Sequence, residues 1–230
     1  MLRLAFAALF LLAVGAGCAS VQDLTQTQPV TAETLALVRD SLRAGAPGAA
    51  RRAAAVRRLA AAGVTPFADG TFDGGRPPNR DGLYQLDGGP GGAEVVGGFV
   101  PGRHPLGRSR LVVLGASSDE TSASAVLEAS RVLVARSLVE NVPDQTVLVT
   151  LWDGRASNEA GVASALALPV WPRTAVTSVV VVGATDGVVD GVPVRGIRSD
   201  GDPVALVEQI VASVVEAAAY VPPVYADSTQ

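Results

Sequence analysis

Two pairs of carboxylates, Asp119 with Glu120 and Asp186 with Asp190, are spaced so that a loop could bring each pair together. Paired carboxylates serve general acid/base catalysis or hold calcium through hard oxygen ligands. At strand-to-helix loops the same residues more commonly cap helices and form turns. Ser117 and Ser118 precede Asp119, and His104 is the only histidine of the chain. A Ser-His-Asp hydrolase built from them needs His104 to reach the serines across the end of a sheet, and there is no Gly-x-Ser-x-Gly elbow. A histidine without partners is ordinarily a surface residue. The glycine-dense stretch from Gly63 to Gly92 lacks the Gly-Lys-Ser/Thr ending of a phosphate loop. Trp152 reads as core packing rather than a ligand platform.

The elements that must position these residues can be read from periodicity. Thr31 offers an N-cap for a helix through about Arg43, with Glu33 in its first turn, where the helix dipole favours a negative charge. A second helix runs from Ala49 to Ala62 and stops at Gly63. Its Arg51, Arg52, Arg57 and Arg58 are expected on a solvated side, with Val56, Leu59 and Ala60 facing inward, rather than forming a patch for anionic lipid. Between Gly63 and Gly92 turn chemistry dominates, and only Leu83 to Leu86 reads as a strand. Strands are expected at Glu94 to Val100 and Leu111 to Leu114, joined by a turn at Pro101-Gly102-Arg103-His104-Pro105. Helix Ser122 to Leu138, strand Thr146 to Leu151, helix Asn158 to Ala167, strand Val176 to Val182 and helix Pro203 to Tyr220 follow. This alternation predicts an α/β fold of three αβα layers around a mostly parallel central sheet.

The chain has 230 residues, 48% of them hydrophobic, enough for one compact domain with a sizeable core. Every basic residue is Arg, the formal charge is −4, and no basic cluster stands among aromatics, which argues against nucleic acid as a partner. At the N-terminus, Arg3 is followed by an apolar run from Leu4 to Val14 and by Gly15, Ala16 and Gly17 before Cys18, the only cysteine. This is the pattern of an export signal over residues 1–17, too short for a membrane span. Small residues directly before the cysteine resemble the lipobox of bacterial lipoproteins, in which the thiol is acylated and becomes the new N-terminus. Gly15 departs from that pattern, which prefers an aliphatic residue there. Processing at Cys18 removes Arg3 and takes the formal charge from −4 to −5. Residues 18–30 then read as a polar, lipid-attached tether and 31–230 as a single domain. The expected location is the bacterial cell envelope, with a membrane contact through the lipid. Ala19 in place of Asp points to the outer membrane of a diderm host.

The segment VVGGFVPGRHPLGRSRLVVLGASSD, from Val95 to Asp119, is similar to the Asn-Val-x-Gly-x-x-Pro-Gly segment and Gly-Ala-His-x-Asp strand end of the di-zinc aminopeptidases of metallopeptidase family twenty-eight. The Ala/Arg helix with Gly63-Val64-Thr65-Pro66 resembles that family's opening helix and Gly-Leu-x-Pro turn. Val147 to Trp152 resembles the strand leading to its Gly-Glu-Glu, and Asp202 to Leu206 its last helix. Each motif alone is weakly specific. Their shared order carries the resemblance across most of the residues after the tether.

That family's chemistry requires two zinc ions held by His, Asp and Glu, with a Glu that deprotonates the bound water. Carried over residue by residue, the resemblance puts Ser117 where the first ligand His is expected, and Asp119 at the companion position. The loop bearing the bridging Asp is essentially absent, since Glu120-Thr121 runs straight into a helix. Two alignments exist for the Glu pair. In one, Gly154 is followed by Arg155-Ala156; in the other, Asn158-Glu159-Ala160-Gly161 replaces Glu-Glu-x-Gly, so that Asn158 stands for the general base and Glu159 alone could touch metal. The resemblance therefore implies a pseudopeptidase without catalytic residues or cofactor, binding a peptide or protein partner or serving structure alone. Two other readings stay open: a hydrolase with a remodelled, single-zinc site around Asp119 and Glu159, and an envelope assembly component.

Overall fold

A computed structural model describes residues 29–44, 49–65, 84–86, 95–167 and 172–222. Cys18, the export signal, most of the tether and most of the turns between Gly63 and Gly92 lie outside the described residues.

The first helix, α1 (Ala32–Arg43), begins where Thr31 predicts: its Oγ1 accepts from the Thr34 amide at 3.1 Å, and the Thr34 hydroxyl oxygen accepts from the Thr31 amide at 3.1 Å. The second, α2 (Ala49–Ala61), is followed by Gly63 at φ 77°, a left-handed position that suits a residue without Cβ. Leu59, Val56 and Ala55 face the core as the periodicity requires, whereas Ala60 is exposed.

Seven strands form one sheet: β1 (Tyr84–Leu86), β2 (Val95–Val100), β3 (Leu111–Ser117), β4 (Thr146–Trp152), β5 (Val176–Val182), β6 (Gly187–Val189) and β7 (Val192–Ile197), in the order β1-β2-β4-β3-β5-β7-β6. The centre, β4-β3-β5-β7, is parallel, and antiparallel pairs close both flanks. Three further helices, α3 (Glu120–Val139), α4 (Asn158–Leu166) and α5 (Pro203–Ala217), connect or follow the parallel strands. Strands β3 and β4 lie between neighbours on both edges and helices on both faces, so their near-continuous apolar sequences are what burial demands.

Alternation along the strands sorts two cores. Val96, Val112, Leu114, Val149 and Val180 pack beneath α1, α2, α3 and α5, while Leu111, Val113, Leu148, Val181 and Trp152 pack beneath α4. The fold is therefore an αβα sandwich with four described helices on one face and α4 on the other.

The hairpin β6–β7 was not among the expected elements. Its turn, Asp190-Gly191, has φ values of 53° and 82°, the left-handed pair that favours Asp-Gly between two strands. The strands themselves are short, and Pro193 and two glycines dilute their pattern.

Candidate functional site

In an open parallel sheet, ligands bind beyond the carboxyl ends of the strands where the connections change direction. Here β3 leads to β4 on one side while β5 lies on the other, so the change falls between the ends of β3 and β5. Ser117 ends β3 and is followed by Ser118 and Asp119; Trp152 ends β4 and is followed by Asp153 and Gly154; Gly183 follows β5.

The polar groups at this edge are engaged with backbone. Asp119 is the N-cap of α3, its Oδ1 accepting from the Thr121 and Ser122 amides at 3.1 and 3.0 Å. The Ser118 amide donates to the Trp152 carbonyl at 2.7 Å, and its Oγ accepts from the Gly154 amide at 3.0 Å. Asp153 accepts from the Arg155 amide at 3.1 Å. Asn158, in the first turn of α4, donates its side-chain amide to the Gly183 carbonyl at 2.8 Å, tying the helix to the end of β5. Its neighbour Glu159 is exposed.

Asp119 and Glu159 do not share a cavity. Glu159 lines a cleft of about 680 Å³ with Asn158, Gly183 and Arg198, floored by Val162 and Val181. Asp119 lines a second cavity of about 570 Å³, on the side of α2, with Arg51, Arg52 and Arg155. Of the four arginines of α2, Arg57 is solvated as expected. Arg51 and Arg52 instead line this cavity, and Arg58 turns to α1, donating to Ser41 Oγ at 3.0 Å and the Leu37 carbonyl at 3.2 Å. The expected solvated side is thereby corrected: α1 and the sheet edge cover part of it. Local spacing does not signal this, because Arg155 and Asp119 are remote in sequence from α2.

The other candidates separate. His104 lies at the opposite, amino-terminal end of β3, and the seven residues of that strand put it roughly 20 Å from Ser117. Its Nδ1 accepts from the Leu106 and Gly107 amides at 3.2 and 3.1 Å, and its ring stacks on Tyr220 with centroids 4.3 Å apart. A triad of His104 with Ser117 or Ser118 is excluded by that distance. Asp186 accepts from the Gly196 amide at 2.8 Å, while Asp190 pairs with Arg173 at 3.1 Å beyond the far end of β6. They are turn and hairpin residues, not a carboxylate pair.

No family model matches the chain, and no curated protein matches it. Solved structures do. A candidate Zn-dependent exopeptidase from Bacteroides vulgatus ATCC 8482 superposes with a TM-score of 0.51 at 9% identity, over 83% of this chain and 96% of its own. A Zn-dependent exopeptidase from Parabacteroides distasonis ATCC 8503 is matched at a TM-score of 0.41 and 11% identity, over 84% of this chain and 83% of its own. The fold is that of a zinc-exopeptidase-like α/β protein.

Such a fold raises the question of zinc. Among the described residues no three His, Cys, Asp or Glu side chains stand together in a way that could hold a metal ion. The side-chain oxygens at the strand ends are the Ser117 and Ser118 hydroxyls, the Asn158 amide and the Asp119 and Asp153 carboxylates, and each carboxylate accepts backbone amides of the residues that follow it. Zinc prefers nitrogen, sulfur and carboxylate donors converging on one point. The residues described at this edge do not fit it.

Proposed function

We propose that this protein is a non-catalytic, lipid-anchored envelope domain that keeps a zinc-exopeptidase-like scaffold and uses the carboxyl edge of its sheet to bind a peptide or protein partner. The observation that carries this reading is the state of Asp119, Ser118 and Asn158, whose side chains form a cap, a loop brace and a helix-to-strand tie. Each of these local bonds organises the edge rather than presenting donors to a reacting centre. The clefts beside them are of ligand size and mix apolar floors with a few polar groups, as binding sites do. Residues 1–17 as an export signal and Cys18 as the lipidation site supply the anchor, and the tether then enters α1, whose Leu35 and Leu42 are buried in the core.

Zinc stoichiometry tests the reading most directly. The chain carrying Cys18→Ala is expected to retain near-zero zinc after incubation and desalting, and to release no amino acid from a peptide library with or without added metal. One or two tightly retained ions, or turnover abolished by Glu159→Ala, would establish the remodelled hydrolase around Asp119 and Glu159 in its place.

A further inference from the structure

We infer that the bare side of Gly183, at the switch between β3 and β5, is a binding point for a main-chain carbonyl oxygen of a peptide. Gly183 is fixed through its own backbone: its amide donates to the Ile197 carbonyl at 2.7 Å, and its carbonyl accepts from Asn158 Nδ2 at 2.8 Å. Its φ of 82° is a conformation that side chains rarely adopt, which suits a residue without Cβ. Outside Gly183 and its neighbours in the chain, the three atoms nearest the place of that missing Cβ are all polar. They are Ser122 Oγ at 3.5 Å, Ser199 Oγ at 3.8 Å and Asn158 Nδ2 at 3.9 Å.

These groups follow β3, β7 and β4 respectively, so only the tertiary fold assembles them. Ser122 carries the argument. It stands in the first turn of α3, is 3% exposed, and its hydroxyl has no hydrogen-bond partner among the described residues. A buried hydroxyl without a partner is a desolvation cost that an acceptor from outside the chain would offset. Ser199, half-buried, likewise has no partner among those residues, and Asn158 Nδ2 spends only one of its two N–H groups on Gly183. Gly183 is exposed and, with Asn158 and Ser199, lines the cleft of about 680 Å³, so the point is reached from solvent.

An amide N–H can only donate, so the occupant must be an acceptor. None of the three groups carries a formal charge. Asp119 accepts the Ser122 amide at 3.0 Å and already meets the dipole of α3 with a carboxylate. An anion bound to the Ser122 hydroxyl would lie within a few ångströms of that carboxylate and be repelled by it. A neutral carbonyl oxygen, with two lone pairs, accepts from two of the donors without that repulsion. The proposal rests on the peptide-binding reading above and names the atom that the edge would hold.

The test is an NMR titration of the nitrogen-15-labelled full chain in detergent with N-acetyl-trialanine methylamide, which offers uncharged peptide carbonyls, and separately with acetate. The peptide is expected to shift the Gly183 and Ser199 amides and the Asn158 side-chain amide saturably, and acetate to bind more weakly. Ser122→Ala and Ser199→Ala should each weaken peptide binding about fivefold, as the loss of one hydrogen bond does. Ser122→Ala should nevertheless melt at or above the wild-type temperature, because no partner within the protein is lost. The inference is overturned if those signals do not shift saturably, if acetate binds as tightly as the peptide, or if both variants keep the wild-type affinity. A melting temperature lowered by more than about 3 °C in Ser122→Ala would overturn it too, by showing that the hydroxyl is bonded internally. Saturable shifts elsewhere on the edge alone would sink this point and leave the binding reading standing. Hydrolysis of the peptide during the titration would instead defeat the non-catalytic reading while leaving the point in place.

Discussion

The indole of Trp152 lies directly against Gly161: a Cβ added at position 161 would stand 2.2 Å from ring carbon Cδ2 and 2.3 Å from Cε2. The opposite neighbour is equally tight, since a Cβ at Gly115 would meet Cζ3 at 2.3 Å. Trp152 is fully buried, so the ring has no open space into which to move. The two glycines thus set how closely α4 and β3 approach the end of β4, where the candidate edge begins.

Gly161→Ala is expected to destabilise the protein by about 1–3 kcal/mol through overpacking, outweighing the better helix propensity of alanine. Urea unfolding measures it. In a Trp152→Phe background, where the smaller ring leaves room, the same substitution should cost less by at least about 0.5 kcal/mol, the signature of two residues in contact. Equal costs in both backgrounds would show that the ring is not what Gly161 accommodates.

Asp119 acts on stability through α3. Asp119→Ala should cost about 0.5–2 kcal/mol, the range for losing an N-cap, and Asp119→Ser should restore most of it. A metal ligand behaves differently, because serine would not replace a carboxylate toward zinc. Thermal unfolding of both variants, with and without zinc, separates the roles.

Asn158 ties α4 to the Gly183 carbonyl across the switch in connectivity. Its replacement by Ala is expected to cost about 1 kcal/mol, the net worth of one such hydrogen bond, and to speed amide exchange in the first turn of α4. Asn158→Glu, which writes in the residue that the aminopeptidase resemblance puts at this place, should produce neither zinc retention nor peptide hydrolysis. Gain of either would show that a latent metal site survives at this edge.

Labelled palmitate should enter the wild-type chain expressed in a bacterial host and be absent from Cys18→Ala. The labelled form should fractionate with membranes, and the variant should not. Equal labelling of the two chains would end the lipid-anchor proposal.

His104 should prove a turn residue. His104→Ala loses an acceptor for the Leu106 and Gly107 amides and the stack on Tyr220, and is expected to lower stability by about 1–2 kcal/mol. It should leave amide exchange in the first turn of α4, at the opposite edge of the sheet, unchanged.

Much of the architecture was legible along the chain, because apolar runs such as Leu111–Leu114 and Val176–Val182 have only one economical home, a buried parallel strand. The cap at Thr31 was legible for a local reason too, since a cap is a contact across two or three residues, and the last helix starts at Pro203 as expected, whereas α3 starts at Glu120, two residues before the expected Ser122. The hairpin around Asp190-Gly191 carried its turn signal but had strands too short and too mixed to announce themselves. The resemblance to zinc peptidases also marked Ser117 and Asn158 as the positions where a ligand and the general base are expected to be lost, with Asp119 and Glu159 as the carboxylates that remain. What sequence did not contain was neighbourhood. That Asp119 and Glu159 line different cavities, that His104 sits at the far end of β3 from Ser117, and that Arg51, Arg52 and Arg155 line one cavity are outcomes of how the helices pack on the sheet. Local propensity acts over a few residues and fixes elements; only the burial of their apolar faces against one another brings distant side chains to one edge.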